Sequence, residues 1–293
     1  MYKSLEQHTK QTCSTSSIQK TDHRVRYVMG LGVALLLLDV TGCGVGEHEL
    51  SSRTQELVTG NGLTPTALEK NLPALSALGG RALSSAGPVG GAWPLDSETA
   101  GVLAATAAGR RVLSYAMKCA LDRNDVVVVE SDYAQYKFSG GLGVAPEWKT
   151  HGALEPGQQH AVSACVLAHV NVFGVTVPIS LRDYRTLDTS ADEKAGYESH
   201  EATFFGNLFS ASPAMYVCSG DSDMSTGDGE LRQCSVLSDA SSVQTRCGFT
   251  LVGSCRDVCD SEIEGSYRNC WDSPARDGLF FAETMSVWLD IYG

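Results

Sequence analysis

Cysteines are the residues of this chain whose number and spacing predict covalent chemistry. Ten are present among the 293 residues. Cys13 and Cys43 lie near the N-terminus, and the other eight form an even set. That set is Cys119, Cys165, Cys218, Cys234, Cys247, Cys255, Cys259 and Cys270. An even set of thiols in an exported chain predicts disulfide bonds throughout, because oxidising compartments maintain them. The sequence leaves their connectivity open.

Zinc is the alternative use of these thiols. The spacing in "CRDVC", Cys255 to Cys259, is compatible with a zinc site, but no second close pair and no histidine after His200 completes it. We therefore expect disulfides and no metal site. Six of the eight cysteines fall between Cys218 and Cys270, which predicts a loop-rich C-terminal part held by disulfides.

A cysteine nucleophile is the second reading of the same residues. In "QHAVSAC", Gln159 precedes Cys165 by the spacing of the oxyanion glutamine and nucleophile in papain-like cysteine proteases. Those enzymes need a histidine base far downstream, whereas only His169 and His200 follow here. A cysteine in a disulfide is also no nucleophile. Cys165 and His169 sit at the i, i+4 spacing of two metal ligands, but no motif marks a third, so we predict no catalytic residue.

An acidic segment, "SGDSDMSTGDGE" at 219–230, has part of the pattern of a calcium loop. Counted from Asp221, the glycine position holds Thr226 and the final glutamate position holds Arg232, so the EF-hand pattern fails. A looser calcium site and a solvated loop closed by Cys218 and Cys234 both stay open. No serine elbow, phosphate loop, dinucleotide fingerprint or H-E-x-x-H motif occurs.

The N-terminal segment has the pattern of an export signal. Val28 to Val40 is apolar except for Asp39, and it is shorter than the roughly 20 residues that span a bilayer. Basic residues precede it, and "VTGC" follows it, which resembles the lipobox of bacterial lipoproteins. That resemblance predicts a lipoprotein signal peptide over 1–42 and a Cys43 that carries diacylglycerol and an acyl chain such as palmitate. An ordinary signal peptide and a chain that is not exported are the alternatives.

The predicted anchor gives an expected location and partner. Cys43 would attach the protein to a membrane through its lipid, and Gly44 in place of an aspartate favours the outer membrane of the cell envelope. The formal net charge is −12, and the leader holds more basic than acidic residues, so the remainder is more acidic still. Such a surface argues against nucleic acid, whose phosphates need clustered lysine and arginine.

Between the cysteine and the folded part, residues 43–93 are poor in aromatic residues and rich in small ones, which favours a tether or linker. Leucines recur from Leu63 to Leu78, so a short docked helix is the alternative. The predicted domain covers 94–293. One helix is expected from Asp96 to about Leu121 and a second from Pro156 towards Gly174, followed by many short strands. We expect α+β, with the two helices packed on antiparallel β-strands and a bridge from Cys119 to Cys165.

A family resemblance appears once these segments are in order. "GRRVLSYAMKCAL", "VSACVLAHVNVFGVTVPISLR", "FFGNLF", "VCSGDSD…RQC" and "CGFTLVGSCRDVC…SYRNC" follow one another between Arg110 and the C-terminus. Together they resemble a group of uncharacterised, cysteine-rich secreted lipoproteins common in myxobacteria-like genomes. The resemblance implies an envelope location, a disulfide-stabilised domain with all eight cysteines paired, and nothing catalytic.

These patterns predict a cell-envelope lipoprotein with a non-catalytic binding or structural role at the surface. Trp271 and other exposed aromatic residues suit contact with a glycan or a peptide, although core packing is the favoured interpretation of each one. The alternative is an envelope hydrolase that uses paired carboxylates, which leave no local sequence signature. We expect no cofactor.

Overall fold

The computed structural model describes residues 62–84, 86–131, 134–183, 187, 189–220, 232 and 246–290. In that part of the chain the helices are α1 (Pro65–Gly79), α2 (Ser97–Ala104), α3 (Ala107–Ala120), α4 (Pro156–Ala168), α5 (Ala191–Gly196) and α6 (Cys255–Val258), with a 3₁₀ turn at Pro146–Lys149. The strands are β1 (Trp93–Pro94), β2 (Val126–Ser131), β3 (Ala134–Ser139), β4 (Ser180–Arg182), β5 (Ser199–Asn207), β6 (Ala214–Ser219), β7 (Thr250–Ser254), β8 (Cys270–Trp271), β9 (Phe280–Phe281) and β10 (Met285–Leu289).

The strands form three sheets. The largest has the order β4-β10-β5-β6-β7, a second has the order β1-β2-β3, and β8 pairs with β9. The α+β prediction is confirmed. Most pairs are antiparallel as predicted, but β1 runs parallel to β2 and β6 runs parallel to β7. β4, which follows Pro178, lies at an edge, where a proline removes no ladder hydrogen bond.

The single helix predicted from Asp96 to Leu121 is two helices, α2 and α3. Thr106 begins the second one, because its hydroxyl accepts a hydrogen bond from the Gly109 amide at 2.9 Å. A Cβ on Gly109 would collide with the Leu103 carbonyl. This close approach lets the chain turn sharply between the two helices.

The segment predicted to be a tether contains a docked helix, α1. Leu63, Leu68, Leu75 and Leu78 are buried in the main core. The backbone of Leu63 is also fixed, since its amide donates to the His169 carbonyl at 3.2 Å. From residue 62 onward this segment therefore belongs to the folded domain, and burial of leucine side chains stabilises it there. The tether prediction is wrong for α1, and residues 43–61 lie outside the described residues.

The main core lies where α4 packs against β5 and β10 on one side and α3 on the other. The predicted Cys119–Cys165 bridge is present and links α3 to α4. A smaller apolar cluster, built around Phe205, Val258 and Phe281, contains two further disulfides. No helix in the described residues is both long and apolar enough to cross a bilayer.

Candidate functional site

A cleft of about 390 Å³ opens at the N-terminal end of α4. We call it the α4 cleft. Its lining consists of Val144, Glu155, Gly157, Gln158, Ala161, Asp183, Arg268, Asn269, Ala282, Glu283 and Thr284. These residues come from the segment before the 3₁₀ turn, the N-cap and first turns of α4, the residue after β4, the residues before β8 and the segment between β9 and β10. The volume is within the usual range for small-molecule sites.

The first turn of α4 forms one wall of the cleft. Pro156 occupies the first helical position, where its missing amide costs no hydrogen bond. Gln158 folds back and accepts a hydrogen bond from the Glu155 amide at 3.0 Å. Its side-chain amide also reaches the Glu147 carboxylate at 3.4 Å. The wall is therefore ordered by contacts of its own residues before any ligand binds.

Glu283 is held against this wall. One of its carboxylate oxygens lies 3.6 Å from Nδ1 of His160, and both side chains are about four-fifths buried. The other oxygen lies 3.3 Å from the point where a Cβ on Gly157 would be. The ring of His160 in turn packs edge-on against Phe281, with the centroids 5.0 Å apart. A carboxylate and an imidazole thus meet at the margin of the cleft.

Arg268 and Asn269 form a second wall of the cleft. Asn269 has a left-handed φ of 52°, a conformation that asparagine tolerates better than most residues. Its side-chain amide donates to the Asp260 carboxylate at 2.7 Å. The Asp260 amide donates to the Arg268 carbonyl at 2.9 Å. The next residue, Cys270, is bonded to Cys259, so a disulfide supports this wall.

The ionisable groups of the lining are three carboxylates and one guanidinium. Glu155, Asp183 and Glu283 face the same cavity as Arg268. Such a set can bind a polar or cationic ligand through charge-assisted hydrogen bonds. It can also supply a general acid and a general base. Among the described residues, two groups bring three potential metal ligands within 4.8 Å of one another. These groups consist of cysteines and one histidine and include none of these carboxylates.

The predicted disulfide residues are largely brought together. Besides Cys119–Cys165, the structure pairs Cys218 with Cys255 and Cys259 with Cys270. Cys247 is also disulfide-bonded. Cys234 and the predicted lipidation residue Cys43 lie outside the described part of the chain. Because Cys255 and Cys259 each form a disulfide, the zinc reading of "CRDVC" fails.

Gln159 and Cys165 do not form a hydrolase site. Gln159 bonds the Leu154 carbonyl at 2.9 Å and receives a hydrogen bond from Asn207 at 3.1 Å, so it joins α4 to the end of β5. The sulfur of Cys165 is taken up by the disulfide. In this disulfide the sulfur is not available as a nucleophile.

His169 lies beside that disulfide and does not act with Cys165 as a metal ligand. Its Nδ1 is 3.9 Å and 4.0 Å from the two sulfurs, which are bonded to each other. Nδ1–H donates to the Cys165 carbonyl at 2.8 Å. Burial, reinforced by the Lys118 ammonium, lowers the pKa of His169 from its usual 6.5 to about 3. His169 is therefore a neutral core residue at physiological pH.

Two further candidates have different outcomes. The acidic segment 219–230, considered for calcium, lies outside the described residues except for its first two.

Trp271 is half-buried, with the Arg276 guanidinium 4.8 Å from its ring centroid and the ring centroid of Phe280 at 5.0 Å. These contacts hold Trp271 within the hairpin, as the packing interpretation expects.

Sequence reasoning missed the α4 cleft. Its ionisable residues come from positions 155, 183, 268 and 283, and no local spacing links them. Pro156 marked only the start of α4, and no local pattern marked the cavity beside it. No known protein family model, curated protein or solved structure matches this chain in the comparisons.

Proposed function

We propose that this chain is a cell-envelope lipoprotein, anchored through Cys43 in the outer membrane, whose domain binds a small ligand in the α4 cleft without catalysing a reaction. The observation that carries the binding role is the convergence of four ionisable side chains on one preformed cavity. Cavities with a few placed polar groups are the usual small-molecule sites of proteins.

The disulfides support the proposed location. Every cysteine among the described residues is disulfide-bonded, and such bonds persist in oxidising compartments such as the periplasm and the cell surface. The sequence before Cys43 supports lipid attachment, because an apolar stretch of signal-peptide length ends in small residues there. More than one acyl chain makes such anchoring stable.

Detergent-phase partitioning of the protein from its native host tests the anchor. The wild type should enter the detergent phase, and its intact mass should show a chain that begins at Cys43 with added acyl mass. Cys43→Ala should stay in the aqueous phase. Cys13→Ala is the matched control, since that cysteine lies in the predicted leader, and it should behave as the wild type. Recovery of an unmodified wild-type chain from the cytosol would refute the anchor.

Ligand-observed NMR with a panel of small polar compounds tests the binding role. Compounds that bind the wild type should no longer bind Ala161→Trp, because this substitution places an indole in the cleft. The matched control is Val102→Trp, because Val102 is 60% exposed on α2 and does not line the cleft. If every bound compound binds both variants equally, the cleft is not the ligand site.

A second candidate function, an envelope hydrolase, is favoured by the contact between His160 and Glu283 at 3.6 Å. An imidazole and a carboxylate in contact at the edge of a cleft are suited to general acid–base catalysis. Turnover of a glycan or peptide substrate that is lost in Glu283→Gln, while ligand binding is retained, would favour the hydrolase. Binding without turnover favours the non-catalytic role.

A further inference from the structure

The lining of the α4 cleft carries an excess of negative charge. Glu155, Asp183 and Glu283 contribute carboxylates, and Arg268 contributes the guanidinium. Val144, Ala161 and Ala282 supply apolar surface between them. Clefts of one dominant sign with low-dielectric walls concentrate the field and attract a ligand of opposite charge.

We infer that the α4 cleft binds a primary ammonium group carried on an aliphatic stem, as in a lysine side chain or a diamine. The inference rests on the proposed role of the cleft as a ligand site and adds the chemical class of the ligand. Three observations lead to it: the size of the cavity, the absence of aromatic residues from its described lining, and the arrangement of polar and apolar groups.

The size of the cleft favours an organic cation over a metal ion. A cavity of about 390 Å³ is much larger than a single ion needs. A metal ion also needs several ligand atoms close together, and the described residues bring no three carboxylates or imidazoles of this cleft within 4.8 Å of one another. Carboxylates spread around a larger space suit a molecule that carries its charge at one end.

The lining chemistry favours a primary over a quaternary ammonium. Proteins recognise quaternary ammonium groups with aromatic cages, and none of the described residues that line the cleft is aromatic. A primary ammonium has three N–H donors and forms charge-assisted hydrogen bonds with a carboxylate, whereas a quaternary ammonium has no N–H to donate. Val144, Ala161 and Ala282 would contact a methylene stem, as apolar surfaces contact the stems of lysine side chains.

Other polar groups would receive the remainder of the ligand. Gln158, Asn269 and Arg268 supply amide and guanidinium donors in the same lining, and these suit a carbonyl or carboxylate. Glu283 is held by His160 and by its close approach to Gly157. A carboxylate fixed in this way loses little side-chain freedom when the ligand binds.

Calorimetric titration of the purified lipoprotein with three probes tests the inference. The probes are Nα-acetyl-lysine, its Nε-acetyl derivative, which lacks the charge, and its Nε-trimethyl derivative, which keeps the charge but has no N–H donors. Nα-acetyl-lysine should bind. Each derivative should bind at least about tenfold more weakly, the factor expected when a charge-assisted hydrogen bond is lost. Raising the salt concentration should weaken the binding of Nα-acetyl-lysine to the wild type.

Variants locate the site. Asp183→Asn should weaken Nα-acetyl-lysine binding by about tenfold. Glu130→Gln is the matched control, because that exposed carboxylate lies on β2 outside the cleft, and it should bind as the wild type. If Asp183→Asn fails to fold, Glu155→Gln is used in its place. The salt titration tests the inference on the wild type and needs no variant.

The outcomes separate this inference from the proposed function. Equal binding of the charged and Nε-acetyl probes, or of the primary and trimethyl probes, overturns the ammonium inference and leaves the cleft as a ligand site. Failure of Nα-acetyl-lysine to bind while other compounds occupy the cleft has the same meaning. If no compound of any class binds in the cleft, both proposals are wrong.

Discussion

Replacing His169 with glutamine should remove a large part of the acid sensitivity of this protein. His169 is 2% exposed, and its burial lowers the pKa to about 3 from the 6.5 of a solvated histidine. Between these values, the unfolded chain binds a proton at this residue and the folded protein does not. Stability from this residue is therefore complete above pH 6.5 and is lost progressively as the pH falls towards 3.

The magnitude follows from the two pKa values. One pKa unit corresponds to about 1.4 kcal/mol, so lowering the pH from 7.5 to 4.5 should cost the folded state about 3 kcal/mol through His169 alone. At pH 4.5 the unfolded histidine is almost fully protonated, whereas the folded one is still neutral. Other groups add their own contributions, which a variant at this position shares with the wild type.

Urea unfolding monitored by tryptophan fluorescence, with the disulfides intact, measures the effect at both pH values. The free energy of unfolding should fall by about 3 kcal/mol more in the wild type than in His169→Gln. His151→Gln is the control, since it removes an exposed histidine. Two results would refute the argument that burial keeps His169 neutral. One is an equal loss of unfolding free energy between pH 7.5 and 4.5 in the wild type and in His169→Gln. The other is that His151→Gln lessens this loss as much as His169→Gln does.

Three further predictions concern stability. Leu75→Ala in α1 should lower the free energy of unfolding by about 2–5 kcal/mol, because Leu75 is fully buried; an effect as small as that of exposed Glu69→Ala would show that α1 is not docked. Glu201→Gln should lower the free energy of unfolding in urea by about 3–5 kcal/mol, because it leaves the equally buried guanidinium of Arg232, 3.0 Å away, without its counter-ion. Recovery of this free energy in Glu201→Leu/Arg232→Met would confirm the cause, and an unchanged free energy in Glu201→Gln would contradict it. Replacing Cys119 and Cys165 together with alanine should cost about 4 kcal/mol, because this disulfide closes a long loop at a separation of 46 residues, and unchanged urea midpoints would argue against the bridge.

Sequence reasoning predicted the features that depend on neighbouring residues. Pro156 marked the start of α4, and the run from Asp125 to Glu130 marked β2. The pairing of Cys119 with Cys165 was also expected, since both lie on predicted helices. Reasoning failed where a contact between distant segments decides the outcome. The small residues of 43–93 resemble a linker, yet α1 forms because its leucines are buried where it packs against α2 and α3.

The cleft shows the same limit at the level of the site. Glu155 and Glu283 are far apart in sequence, and only the packing of the β9–β10 segment against α4 brings them to one cavity. The lowered pKa of His169 likewise depends on burial, which no local pattern around the residue records.

The sequence by itself determined the covalent and local properties of this protein: an even set of cysteines, an apolar segment followed by a cysteine, an acidic composition, and the boundaries that prolines and capping residues impose. Tertiary structure alone decided how the cysteines other than Cys119 and Cys165 pair, that α1 docks, and that three carboxylates and a guanidinium share a cleft. The physical reason is the distance along the chain over which each property is determined. Backbone conformation and capping depend on residues within a few positions, whereas burial, charge proximity and disulfide partners depend on which distant segments exclude water from one another.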